Sequence, residues 1–221
     1  MPAFRSIYIA GSYCRGDWLD CSSDLDICAI YEDREDRVRN DLQRMVQKLK
    51  VTHEFPSHCP GGIDYGYIHT NCVPKSYEEA CIPSRYAPFS TTMFDLKAHH
   101  LTIYGEELND ILPSHPDPSA HAKIWLSSLV KRLESMEQDD YRLPFTAYKA
   151  ITAAQLYFGE PSVNKYRMLE MYQKYVPDFE AKYFGEWIIR NYLGSFYPDR
   201  PPIVFSKSEY MWFITQLLSV V

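Results

Sequence analysis

The residues best equipped for chemistry lie in one short stretch. Gly11-Ser12-Tyr13-Cys14-Arg15-Gly16 is followed, with eleven residues between Ser12 and Asp24, by Asp24-Leu25-Asp26. A Gly-Ser pair directly after a β-prone run gives a tight turn whose backbone amides can approach a phosphate closely. Asp24 and Asp26 stand two apart, so on a strand both carboxylates leave the same face, with Cα atoms about 6.5 to 7 Å apart. Carboxylates at that separation can share divalent cations about 3.5 to 4 Å from each other. Magnesium suits such a site, because it takes a few carboxylates and completes its shell with water and substrate phosphates. A lone Asp-x-Asp is a weak signal. Here the two acids enter an otherwise apolar run, where unpaired charge is costly and bound cations would offset the cost.

The elements that must position these groups can be read from hydrophobic periodicity. Ser6 to Ala10 is a β-prone run stopped by Gly11-Ser12, and Leu25 to Tyr31 is a second, apolar on nearly every position except Asp26. Val38, Leu42, Met45, Val46 and Leu49 recur at three- and four-residue spacing, which predicts a helix over 33–50. Pro60-Gly61-Gly62 then turns the chain into a third strand, Ile63 to His69. From about residue 118 the pattern becomes helical throughout. Asp117-Pro118 reads as an N-cap and first-turn proline before the stripe Trp125, Leu129, Val130, Leu133, Met136. Further helices are expected over 144–158, 163–175 and 178–193, with 198–202 as a linker. Ser206-x-x-Glu209 reads as a capping box opening a last helix through Leu218. The expected fold class is α+β: a mixed sheet with flanking helices over 1–110, then a helical bundle domain over 111–221.

Composition narrows the function classes. The 221 residues can bury a proper core, and 46% of them are apolar. Acidic residues outnumber basic ones, 29 to 23, for a formal net charge of −6. Non-specific nucleic-acid affinity rests on Lys and Arg neutralising phosphates, so a nucleic-acid acceptor is not expected. No apolar leader opens at Met1-Pro2-Ala3-Phe4-Arg5, and no window reaches the length of a bilayer span. A cytoplasmic protein without a membrane partner follows as the expectation, with Cys14, Cys21, Cys28, Cys59, Cys72 and Cys81 as reduced thiols.

Gly-Ser, an eleven-residue gap and Asp-x-Asp together resemble the signature of the DNA polymerase beta-like nucleotidyltransferase superfamily. The resemblance implies that Gly11 and Ser12 form the phosphate-binding turn and that Asp24 and Asp26 are metal ligands. It implies Asp64, in Ile63-Asp64-Tyr65, as the third carboxylate, a metal ligand that in some relatives also activates the acceptor hydroxyl. Arg15 and Ser23 look like positions that contact the triphosphate in antibiotic-modifying members. Two-metal phosphoryl chemistry then follows, with two Mg2+ ions and ATP as co-substrate. A looser match extends over most of the chain. Phe94-Asp95-Leu96-Lys97-Ala98-His99-His100 and Ile103 to Leu108 look like the segment joining the two domains of streptomycin/spectinomycin adenylyltransferases. Leu156 to Glu160, then Lys165 at a helix start, looks like that branch's basic contact to the triphosphate. The implied activity is transfer of AMP from ATP to a hydroxyl of a small molecule, an aminoglycoside-type antibiotic above all, by a monomer or homodimer. The chain departs from that branch in using Asp rather than Glu as third acid, with Glu54 and Asp95 as further candidates for the base. A second reading is a minimal nucleotidyltransferase acting as an antitoxin or modifying a protein partner.

Other clusters carry less. His53, His58, Cys59, His69 and Cys72 crowd together, but without any Cys-x-x-Cys their spacing fits no structural zinc pattern. His99-His100 reads as helix surface or interdomain packing. The aromatics of the helical half fall mostly at core spacing, with Tyr141, Tyr148 and Trp187 as candidates to line an acceptor pocket. Glu137, Asp139 and Asp140 read as solvated surface that a cationic substrate would also favour.

Overall fold

The computed structural model describes residues 4–18, 23–52, 62–80, 95–114, 117–159, 164–194 and 204–221. The chain forms two compact units, Met1–His115 and Pro116–Val221.

The first unit is built on a four-stranded sheet, in the order β3-β2-β1-β4, made by β1 (Phe4–Ala10), β2 (Leu25–Tyr31), β3 (Ile63–His69) and β4 (Leu101–Gly105). Strand β1 runs antiparallel to both β2 and β4, whereas β2 and β3 are parallel. The parallel pair is joined through α2 (Glu35–Thr52), as a parallel connection requires a crossover. The period-2 alternation of the strands sorts their residues onto two faces. Ile27, Ala29, Tyr31 and Ile63 pack with Val38, Leu42 and Val46 of α2. Tyr8, Ala10, Ile30 and Ile68 pack on the opposite face with Leu96, Leu108 and Leu112. Two of these come from a helical stretch whose described part is 95–98 and from α4 (Leu108–Ile111); a four-residue α3 (Tyr77–Ala80) lies between β3 and that stretch. The solvent side of α2 is laced by Arg39–Glu35 at 2.8 Å, a one-turn pair of the kind that supports a surface helix. Leu42 is fully buried, so Leu42→Ala is expected to cost about 2 to 5 kcal/mol.

The second unit is helical: α5 (Pro118–Glu134), α6 (Leu143–Tyr157), α7 (Met168–Tyr175), α8 (Lys182–Tyr192) and α9 (Lys207–Val220). Helix α5 starts where the sequence signalled, with Asp117 accepting from the Ser119 amide at 2.8 Å and Pro118 in the first turn. The capping box of α9 is complete, Ser206 and Glu209 satisfying each other's backbone amides. Helices α5 and α6 pack along each other, α9 packs on both, and α8 rests on α6 and α7. The mixed sheet followed by helices is the α+β class expected.

Several local expectations are corrected. Strand β1 begins two residues earlier than the apolar run suggested, because Phe4 and Arg5 also pair with β2 or reach Glu106 and Thr70. The Gly-Ser turn is the first turn of a short helix, α1 (Gly11–Arg15). Strand β4 was not anticipated: it is an edge strand with nearly every side chain exposed, so it shows no alternation. The helix expected over 163–175 is a 3-10 turn, Lys165–Arg167, running into α7, and the one expected over 178–193 starts only at Lys182. Glu54, His53, His58, Cys59 and the 198–202 linker lie outside the described residues. Among the described residues no helix is long and apolar enough to cross a membrane.

Candidate active site

Strand register brings the acids together. Ala10, the last residue of β1, faces Asp26 across the antiparallel pair, and Asp26 faces Asp64 across the parallel pair. Asp24 lies just before β2 rather than within it. One carboxylate oxygen from each of Asp24, Asp26 and Asp64 lies within 4.8 Å of the other two. The three groups sit at one end of the sheet, where β1 exits into α1 and β2 and β3 begin. Asp24 and Asp64 have neither a hydrogen-bond nor an ion-pair partner among the described residues. Three carboxylates this close repel one another strongly, and a divalent cation is the ordinary remedy.

Gly11 is indispensable to this arrangement for two separate reasons. Its φ is +71°, a conformation that L side chains rarely adopt. A Cβ placed on it would lie 1.9 Å from Asp26 Oδ2 and 2.9 Å from Asp26 Cγ. Glycine therefore lets the backbone of the turn rest against the carboxylate. Ser12 follows, only 3% exposed, and its Oγ is buried without a hydrogen-bond partner among the described residues. A buried hydroxyl left unpaired is costly, so this atom is suited to a ligand oxygen. Ser23 is likewise buried, immediately before Asp24.

Arg15 is held by acids. Its Nε donates to Asp17 Oδ2 at 3.2 Å and its Nη1 donates to Asp95 Oδ2. Asp17 is fully buried, and neither it nor Asp95 stood out as a partner for Arg15 in the sequence. Asp95, a candidate base, is thus engaged with a guanidinium. Cys28 lies two residues along β2 from Asp26, where burial first and the nearby Asp26 and Asp64 charges second push its thiol up to about 12. Lys165 belongs to the helical unit and opens the 3-10 turn before α7, where Asn164 accepts from the Tyr166 amide.

The helical unit has a cavity of about 790 Å³ whose lining includes Asp139, Asp140, Tyr141, Tyr192, Glu209 and Tyr210. Asp140 is tied to Arg142, whose guanidinium hydrogen bonds hold its carboxyl down at about 2. Tyr148 is buried and stacks on Tyr192 at 4.2 Å, so it supports this wall from behind, while Tyr141 is 88% exposed. Trp187 is half-buried on α8. His100 is not helix surface: its Nδ1 lies 2.8 Å from the Leu96 carbonyl and its Nε2 3.1 Å from Glu107.

Residues 5–136 match the family model of the nucleotidyltransferase domain, which is more than half of the chain. The chain belongs to the nucleotidyltransferase family. Among solved structures, the nucleotidyltransferase is similar in fold to a spectinomycin adenyltransferase from Enterococcus faecialis, determined with ATP and spectinomycin. The TM-score is 0.61 at 17% identity, over 98% of this chain and 91% of that one. No curated protein sequence matches this nucleotidyltransferase significantly. The matched span begins within β1 and includes α1, β2 and β3, so the converging acids lie inside it.

Proposed function

We propose that this nucleotidyltransferase moves AMP from ATP to a hydroxyl of a small, amine-bearing molecule of the aminoglycoside type, releasing pyrophosphate. The observation that carries the reading is the trio of carboxylates within 4.8 Å beside the Gly11-Ser12 bend, two of them without partners. Support for ATP and for a small cationic acceptor comes from the fold shared with an adenyltransferase solved with ATP and spectinomycin.

Asp24, Asp26 and Asp64 would hold two Mg2+ ions, whose chemistry there is to neutralise triphosphate charge and make a bound hydroxyl easier to ionise. The residues of the chain supply the rest. Ser12 Oγ donates to a triphosphate oxygen, and Gly11 allows that close approach. Ser23 and Lys165 are further triphosphate contacts. Asp64, the most exposed of the three acids, takes the proton of the acceptor hydroxyl as its oxygen attacks the α-phosphorus. The bond from that phosphorus to the bridging oxygen breaks in line, and pyrophosphate departs. Asp139 provides negative charge for acceptor amines, whereas Asp140 is already engaged by Arg142. Residues 1–110 are assigned the catalytic role, and 111–221 the binding of nucleotide and acceptor.

The test is pyrophosphate release from Mg-ATP and the other triphosphates against a panel of aminoglycosides and lincosamides. Release with one acceptor, abolished in Asp24→Asn and Asp26→Asn, supports the proposal. ATP binding with no turnover on any small acceptor would instead favour a protein acceptor, and co-purification of a stoichiometric partner would strengthen that second reading.

A further inference from the structure

Helix α1 has only five residues, too few to hold itself in place, since isolated helices need many turns' worth of hydrogen bonds to form. Its C-terminal end is closed locally by Gly16 at φ +74°, with the Gly16 amide on the Tyr13 carbonyl and the Asp17 amide on the Ser12 carbonyl. Besides its packing on β1 and β2 and the Cys14 thiol on the Ile9 carbonyl, Arg15 ties it to a distant part of the sheet unit. That side chain is 13% exposed and reaches Asp95, eighty residues away, while Asp17 holds its Nε. Asp95 in turn lies in the helical stretch whose described part is 95–98, anchored by Leu96, which is 6% exposed and packs with Tyr8 and Ala10 of β1.

We propose that Asp95 is a positioning residue that acts through Arg15, latching α1 so that Ser12 and Gly11 face the nucleotide. The inference rests on the nucleotide-binding reading of the site. It assigns Arg15 a different part from a direct contact with the triphosphate. One guanidinium already serves two carboxylates, one of them fully buried. Moving it onto a phosphate would give up its bonds to Asp17 and Asp95, and breaking a buried pair is strongly unfavourable. The Arg side chain suits a latch because its planar fork binds two carboxylates at fixed angles, which a lysine cannot do.

The test is Mg-ATP affinity by calorimetry, with melting temperature alongside, for the wild type, Arg15→Gln, Asp95→Asn and the double variant. A latch predicts that each single change weakens Mg-ATP binding about tenfold and that the double is no worse than the weaker single, as for coupled neighbours. Asp95→Glu should recover part of the loss. Arg15→Lys, which keeps the charge but not the planar fork, should behave like Arg15→Gln and stands in for it if that variant does not fold. The inference is overturned if Asp95→Asn binds Mg-ATP as well as or better than the wild type while Arg15→Gln loses affinity, the pattern of a direct phosphate contact. It is equally overturned if both singles melt earlier yet bind within twofold of the wild type, the pattern of a purely structural pair. A wild type that binds no Mg-ATP removes the nucleotide reading itself, and this inference with it.

Discussion

Replacing Gly11 with alanine separates backbone strain from damage to the carboxylate trio, because Gly16 offers a matched control. Gly11 has φ +71° and Gly16 φ +74°, so alanine at either position suffers the same left-handed penalty, roughly 1 to 2 kcal/mol. Only at Gly11 does the new Cβ collide with something. It meets Asp26 Oδ2 at 1.9 Å and Cγ at 2.9 Å, whereas at Gly16 nothing lies within 4 Å. Rotating the Asp26 carboxylate cannot clear both atoms, so restoring ordinary contact distances of about 3.5 Å moves Oδ2 by about 1.6 Å and Cγ by about 0.6 Å. A misplacement of that size in a reacting site costs on the order of 100-fold in rate. Gly16→Ala should therefore melt about 2 to 8 °C lower than the wild type, and Gly11→Ala lower still because it adds the collision. Pyrophosphate release and Mn2+ affinity should collapse in Gly11→Ala alone. Equal activity in the two variants, or a Gly11→Ala protein that keeps more than about a third of its turnover, would refute the reasoning.

Other consequences follow from the same geometry. Without metal, Asp64→Asn should raise the melting temperature, because it removes repulsion of about 1 kcal/mol or more between carboxylates within 4.8 Å of one another; thermal melts in EDTA, compared with melts in Mg2+, would show the gain vanish or reverse. His121 is buried in the helical unit, and burial lowers its imidazole to about 4 from an ordinary 6.5. Its neutral form is therefore favoured by folding, so stability should fall as pH drops from about 6.5 towards 4, and His121→Phe should flatten that part of the denaturation profile. Cys28, pushed up to about 12 from 9 by burial, stays a thiol in the fold while the unfolded chain ionises. Its contribution is complete below pH 9 and is lost as pH rises from about 9 to 12, and native protein at pH 8 should leave Cys28 unlabelled by a thiol reagent that reaches it after unfolding.

How much of this was legible in the residues depends on whether local or distant contacts decide. The acids at 24, 26 and 64 were readable because strand periodicity and a Gly-Ser pair are local patterns, and their meeting needs only a parallel β2–β3 pair in the register that sets Asp26 against Asp64. The caps of α5 and α9 were readable for the same reason, each being fixed by side chains three residues apart or fewer. Strand β4 was hidden, since an edge strand with exposed Leu101, Ile103 and Tyr104 lacks the alternation that burial imposes. The partners of Arg15 were hidden as well. Asp95 stood out only as a further candidate base, and its pairing with a residue eighty positions earlier depends on how the 95–98 stretch packs onto the sheet. The interior setting of His100, held by Leu96 and Glu107, was likewise a matter of tertiary packing.

The central claim is that Asp24, Asp26 and Asp64 hold the divalent cations of nucleotidyl transfer. Its most direct test is a crystal of the chain soaked with Mn2+ and a non-hydrolysable ATP analogue, with anomalous scattering recorded at the manganese edge. The account predicts one or two anomalous peaks among these three carboxylates, bridged to the triphosphate beside Ser12. Nucleotide bound with the manganese peaks elsewhere, or with none at the trio, would contradict it.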